Sequence, residues 1–193
     1  PSKEQIINQA FKFHSQGNIS EAVKYYKYFI TQDFKDHRVF SNYGVIQKEI
    51  GNLKDAELLQ RKAIELNPTF ADAHSNLGII LREIGNLKDA ELSIRKAIEL
   101  NPNLASAHSN LGNILKDIGK LQEAETSYRK AIELKPNLAD AHSNLGNILK
   151  DLCKFDDAIS SFQKALHIEK DNETSTIGFG TTLIMKGEYR EGL

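Results

Sequence analysis

Residues Ala71–Leu104, laid without a gap over Ala105–Leu138, match at 24 of 34 positions. A period of this length means that each unit is one small supersecondary element. Such an element cannot bury its apolar face alone, so a core has to come from stacking neighbours. The register extends to units at 3–36, 37–70, 71–104, 105–138 and 139–172, with a sixth from Glu173 to Leu193. A slot is a residue's position within its unit. Ten of the 12 glycines occupy two slots: the eighth (Gly44, Gly78, Gly112, Gly146, Gly180) and the fifteenth (Gly17, Gly51, Gly85, Gly119, Gly187). Three of the four prolines, Pro68, Pro102 and Pro136, share the thirty-second.

Each unit predicts two helices. Around the first, Ala107, His108, Leu111, Gly112, Ile114, Leu115 and Ile118 gather on one side, and Ser106, Ser109, Asn110, Asn113, Lys116 and Asp117 on the other. In the second, Leu121, Ala124, Tyr128, Ala131 and Ile132 form a stripe. Glu57, Glu91 and Glu125 each stand one turn before an arginine: Arg61, Arg95 and Arg129. The fifteenth-slot glycine suits a left-handed turn that ends the first helix, and Asn52 or Asn86 after it suits an N-cap. Proline in the thirty-second slot ends the second helix. Small residues, Gly in the eighth slot and Ala56, Ala90, Ala124 and Ala158 in the twentieth, let the paired helices approach closely.

These offsets, Asn-Leu-Gly followed by Leu, Gly, Ala, an aromatic or Ile, Ala and Pro, resemble the tetratricopeptide repeat across residues 3–193. The resemblance implies an all-α, right-handed superhelical solenoid of antiparallel helix pairs, a single array over 1–193. The fourth slot departs from the family pattern, with Phe40 and then His74, His108 and His142. The first unit is degenerate, with Phe34 in place of Pro and Phe29 in place of Ala. In the fifth, Cys153 replaces Gly and Lys170 replaces Pro. If Cys153 keeps a left-handed turn, the strain is about 1–2 kcal/mol.

Composition narrows the function. Among 193 residues, 40% hydrophobic and 26% charged, 25 Lys plus Arg balance 26 Asp plus Glu. A net charge of -1 argues against the basic footprint of a nucleic-acid binder. No apolar run reaches the roughly 18 residues of a membrane span. The lone Cys153 cannot form an internal disulfide, which fits a reducing, cytoplasmic location. The sequence opens on Pro1 with no charged-then-apolar leader, and is expected to come from a longer protein.

Residues that recur every 34 positions are spread along an array, whereas catalysis gathers different groups in one place. His74 with Ser75, His108 with Ser109 and His142 with Ser143 are helix neighbours about 100° apart, unsuited to act as base and nucleophile. The histidines of successive units lie roughly 10 Å apart, too far to share a zinc ion. No catalytic residue, metal or cofactor is expected, and the histidines read as structural.

The wet face of the first helices is the candidate site. Asn8, Asn42, Asn76, Asn110 and Asn144 hold the sixth slot in all five complete units, joined by Asn113 and Asn147 one turn later. Asparagine is a mediocre helix former, so its recurrence mid-helix needs a reason. A side-chain amide both donates and accepts, which suits the backbone of an extended peptide. Bridging between adjacent helices is the competing explanation. Beside this ladder run Lys48, Arg82, Lys116 and Lys150, each followed by an acid, and the small hydroxyls of Ser41, Ser75, Ser109 and Ser143. Serine in the fifth slot, where the family's carboxylate-gripping members have lysine, disfavours a chaperone-tail clamp.

Ala139-Asp140-Ala141-His142-Ser143-Asn144-Leu145-Gly146-Asn147 is similar to the asparagine-lined array of O-linked N-acetylglucosamine transferases. That resemblance implies peptide-backbone contacts at Asn42, Asn76, Asn110 and Asn144, and a recruiting arm for a larger transferase. Asn8 lies in the degenerate unit, and Gly178 replaces Asn in the sixth, so the ladder is expected to fade at both ends. Ile184 and Met185 replace the charged pair of the four preceding units, an apolar end that suits further repeats, another domain or self-assembly. At the other end Tyr26 and Phe29 fit the inner stripe, and Tyr28 points outward. The expected function is a non-enzymatic scaffold that binds an extended polypeptide in its groove.

Overall fold

A computed structural model describes residues 1–191, with side chains through residue 187. The described residues form eleven α-helices and no strand. In order they are α1 (Lys3–Ser15), α2 (Ile19–Thr31), α3 (His37–Glu49), α4 (Leu53–Leu66), α5 (Ala71–Ile84), α6 (Leu87–Leu100), α7 (Ala105–Asp117), α8 (Leu121–Leu134), α9 (Ala139–Asp151), α10 (Phe155–Ile168) and α11 (Glu173–Glu191). Each odd-numbered helix through α9 is the first helix of a complete unit. The chain divides into two compact units, Pro1–Leu100 with α1–α6 and Asn101–Leu193 with α7–α11.

The turn between the helices of a pair is the same each time. Gly17, Gly51, Gly85 and Gly119 have φ between 71° and 90°. The amide of the next residue bonds back to a carbonyl five positions earlier, as in Asn52 N to Gln47 O at 2.8 Å and Asn86 N to Leu81 O at 2.9 Å. Cys153 adopts the same turn at φ 57°, with Lys154 N on Leu149 O at 2.8 Å. The cysteine therefore bears the expected left-handed strain. Asn86 accepts from Asp89 N at 3.4 Å, the expected cap. Asn52 makes no side-chain cap; its amide donates to Gln47 Oε1 at 2.8 Å instead.

Close approach at the eighth slot explains its glycine. A Cβ on Gly112 would lie 2.7 Å from the Tyr128 ring, and one on Gly146 would lie 2.7 Å from Phe162. The core of the first unit runs from Ile6, Ile7 and Ala10 through Tyr26 and Phe29 to Val39, Tyr43 and Ile46. Tyr26 stacks on Tyr43 with ring centroids 5.8 Å apart. Tyr28 is exposed, as expected. The outer surface carries the three arginine pairs: Glu57–Arg61 and Glu91–Arg95 at 2.8 Å, and Glu125–Arg129 at 2.9 Å.

In the second unit one departure from the repeat pattern leaves the helix end unchanged, and one local expectation fails. α10 ends at Ile168 without a proline, its Glu169 amide bonding Ala165 O at 2.8 Å. The expected turn at Gly187 does not form, and α11 continues through it to Glu191. An α-helical glycine costs only about 1 kcal/mol, so glycine permits the turn without imposing it. Gly192 and Leu193 lie outside the described residues.

Candidate functional site

His74 Nε2 lies 3.0 Å from Pro68 O, and His108 and His142 Nε2 lie 2.9 Å from Pro102 O and Pro136 O. Each imidazole donates its Nε2 proton to the carbonyl six residues before it, and so ties its helix to the turn that precedes it. Among the described residues no group of three His, Cys, Asp or Glu could hold a metal ion.

In the first unit Asn42, Asn76, Lys48 and Arg82 are all half-buried on α3 and α5, whereas Asn8 on α1 is exposed. The Asn42 amide hydrogen-bonds the Tyr26 hydroxyl, which also lies 3.0 Å from His14 Nδ1. Burial pushes the Tyr26 phenol up to about 12, and the bond from Asn42 opposes that rise. Asn76 donates through Nδ2 to Ser41 Oγ at 3.4 Å, from α5 to α3. Lys48 Nζ and Glu83 form an ion pair at 3.7 Å between the same two helices.

In the second unit α7 presents Asn110, Asn113 and Lys116, and α9 presents Asn144, Asn147 and Lys150, all half-buried. Asn113 Oδ1 accepts from the Tyr128 hydroxyl at 2.8 Å and from Asn144 Nδ2 at 3.3 Å. A buried phenol thus anchors one amide, and that amide anchors the next. The structure brings Asn113 together with Asn144, Asn76 with Ser41, and Lys48 with Glu83. Asn110, Asn147, Lys116 and Lys150 stand on the same faces.

The bridges give these amides an architectural part, yet each of these bonds uses only part of what a primary amide can make. The absence of Asn from the sixth slot of α11 has a packing cause. A Cβ on Gly178 would lie 2.4 Å from the Phe162 ring, while one on Gly180 meets nothing within 4 Å. Gly180 thus lacks the contact with a following helix that the other eighth-slot glycines make, and Gly178 packs instead on α10, the helix before it. Where the preceding second helix offers Tyr26, the facing sixth slot is Asn42; where it offers Phe162, the slot is empty of side chain. Sequence reasoning missed this pairing because it joins different slots of different units.

Sequence reasoning also missed a hollow of about 490 Å³ among α4, α5 and α6 of the first unit, lined by Arg61, Ile64, His74, Leu77, Leu92 and Lys96. Its flanking charges are met locally, by Glu57 for Arg61 and by Glu99 for Lys96. No described helix is long and apolar enough to cross a membrane.

Models of the tetratricopeptide repeat match residues 37–70, 71–104, 94–126 and 139–172, and a model described as TPR repeat matches 112–152. Among solved structures, MamA is 27% identical with a TM-score of 0.73, covering 83% of this chain and 94% of its own. YrrB, described as a TPR protein with an unusual peptide-binding site, is 24% identical with a TM-score of 0.71, covering 89% and 88%. The thermophilic TPR protein TTC0263 of Thermus thermophilus is 17% identical with a TM-score of 0.73, covering 95% and 100%. No curated protein matches. The 34-residue register, the helix pairs and the glycine turns accord with these matches, and the chain belongs to the tetratricopeptide-repeat proteins.

Proposed function

We propose that the asparagine face of the first helices binds an extended polypeptide of a partner protein. The fold is that of a protein-interaction scaffold, generally non-catalytic. The observation that carries the peptide reading is the recurrence of half-buried amides at Asn42, Asn76, Asn110 and Asn144, with Asn113 and Asn147 beside them. Internal hydrogen bonds at Asn42, Asn76, Asn113 and Asn144 fix side chains that would otherwise lose rotamer freedom on binding, which lowers the entropic cost of gripping a backbone. Lys48, Arg82, Lys116 and Lys150 flank them as secondary contacts.

The test is capture of extended peptides by the chain and by a variant with Asn76, Asn110 and Asn144 all changed to Ala. Three lost hydrogen bonds at about 0.5–1.5 kcal/mol each weaken binding at least about tenfold. Unchanged affinity at unchanged helicity would make the amides scaffold alone.

A second reading is self-association through the end of the second unit, favoured by Ile177, Ile184 and Met185 on α11, which are 66%, 63% and 40% exposed. It requires a mass that rises with concentration and falls back in Ile184→Lys. A narrower form of the main reading makes the array the recruiting arm of a sugar transferase, in a cytoplasmic protein. Its support is the asparagine pattern, and its test is transfer of N-acetylglucosamine to captured peptides by the full-length protein.

A further inference from the structure

The ninth slot is the groove position that differs most between the two units. In the first unit it holds Phe11, Val45 and Ile79, and in the second Asn113, Asn147 and Thr181. Phe11, Val45, Ile79, Asn113 and Asn147 are all half-buried and stand one turn from the sixth-slot amides. The contrast changes the neighbouring amides too. Where the ninth slot is Asn113, Asn144 bonds to it; where it is Val45, Asn76 turns to Ser41.

Two cations beside the apolar stripe are paired. Lys48 is paired with Glu83, and Arg38 is paired with Asp36 at 2.7 Å while its guanidinium stands 5.8 Å over the Phe11 ring. An apolar, half-buried stripe flanked by paired cations fits uncharged aliphatic side chains projecting from a backbone held by Asn42 and Asn76. Charged side chains would have to be desolvated there without a partner.

On the reading that this face binds an extended peptide, we propose that the two units select different side chains. The first unit takes aliphatic residues against Phe11, Val45 and Ile79, and the second takes polar residues against Asn113 and Asn147. The partner is a segment whose aliphatic residues cluster in one stretch.

The experiment screens the 193-residue chain against a library of extended peptides, beside a Val45→Thr/Ile79→Thr variant and an Asn147→Val variant. Threonine keeps the β-branched shape and adds a hydroxyl, so folding is little disturbed. The wild-type chain is expected to enrich aliphatic-containing peptides. The threonine pair should weaken their capture about tenfold and leave polar peptides unaffected, the loss expected from a poorer fit of one buried side chain. Asn147→Val should raise capture of aliphatic peptides, and it carries the test alone if the threonine pair fails to fold. If peptides are captured through the asparagines but neither variant changes the profile, the selectivity is overturned and the scaffold reading stands. If the wild-type chain captures no peptide, both fall together.

Discussion

Replacing Cys153 by glycine is expected to stabilise the chain. Cys153 holds φ 57° in the turn between α9 and α10, where the four equivalent turns use glycine. A Cβ in the left-handed region costs about 1–2 kcal/mol. Glycine returns about 0.4–1 kcal/mol of that through its greater freedom in the unfolded chain. The thiol is exposed and unbonded to another cysteine, so little packing is lost with it. The net gain is about 0.5–1 kcal/mol, roughly 1–4 °C in melting temperature for a chain of this length. Urea unfolding followed by helicity measures it, with Cys153→Ala as the control that removes sulfur but keeps the Cβ. Equal midpoints for the two variants, or a lower one for glycine, would refute the assignment of strain to the backbone.

Three other outcomes follow from packing and charge. Gln60 is fully buried, donating Nε2 to Ser41 O at 2.9 Å while its Oε1 has no partner; Gln60→Leu should raise the urea midpoint by about 1 kcal/mol in stability. His142→Ala removes the donor to Pro136 O and should cost about 1 kcal/mol, with part of it restored in His142→Gln, which can still donate. Burial alone would raise the Glu125 carboxyl, but hydrogen bonds from Lys154 and Arg129 outweigh it and hold the group below its usual value. A depressed folded pKa contributes stability that is present above the unfolded pKa and lost as pH falls through the folded one. Acid titration of stability should therefore be shallower in Glu125→Gln than in the wild-type chain over that range.

The helix pairs were legible because several local signals agree at each boundary: apolar periodicity, a glycine turn and a proline stop. Eighth-slot glycine and twentieth-slot alanine announced the close helix contacts for the same reason. The asparagine face was legible only as a list of residues. Nothing in the pattern indicated that Asn113 would accept from Tyr128, or that Gly178 would be forced by Phe162, because those contacts join positions with no common slot. Asn52 shows the limit of local rules, since Gln47, five residues earlier, competes for its amide. At Gly187 the sequence permits a turn, and only the surroundings decide whether one forms.

If the asparagine face binds a peptide as proposed, the chain of bonds from Tyr128 through Asn113 to Asn144 makes recognition depend on a fully buried residue. Removing one buried hydroxyl, as in Tyr128→Phe, would leave every groove residue in place and still release the amide that aims its neighbour. Transplanting the asparagines onto another helical scaffold without the phenol beneath them would carry over the letters of the interface but not their direction.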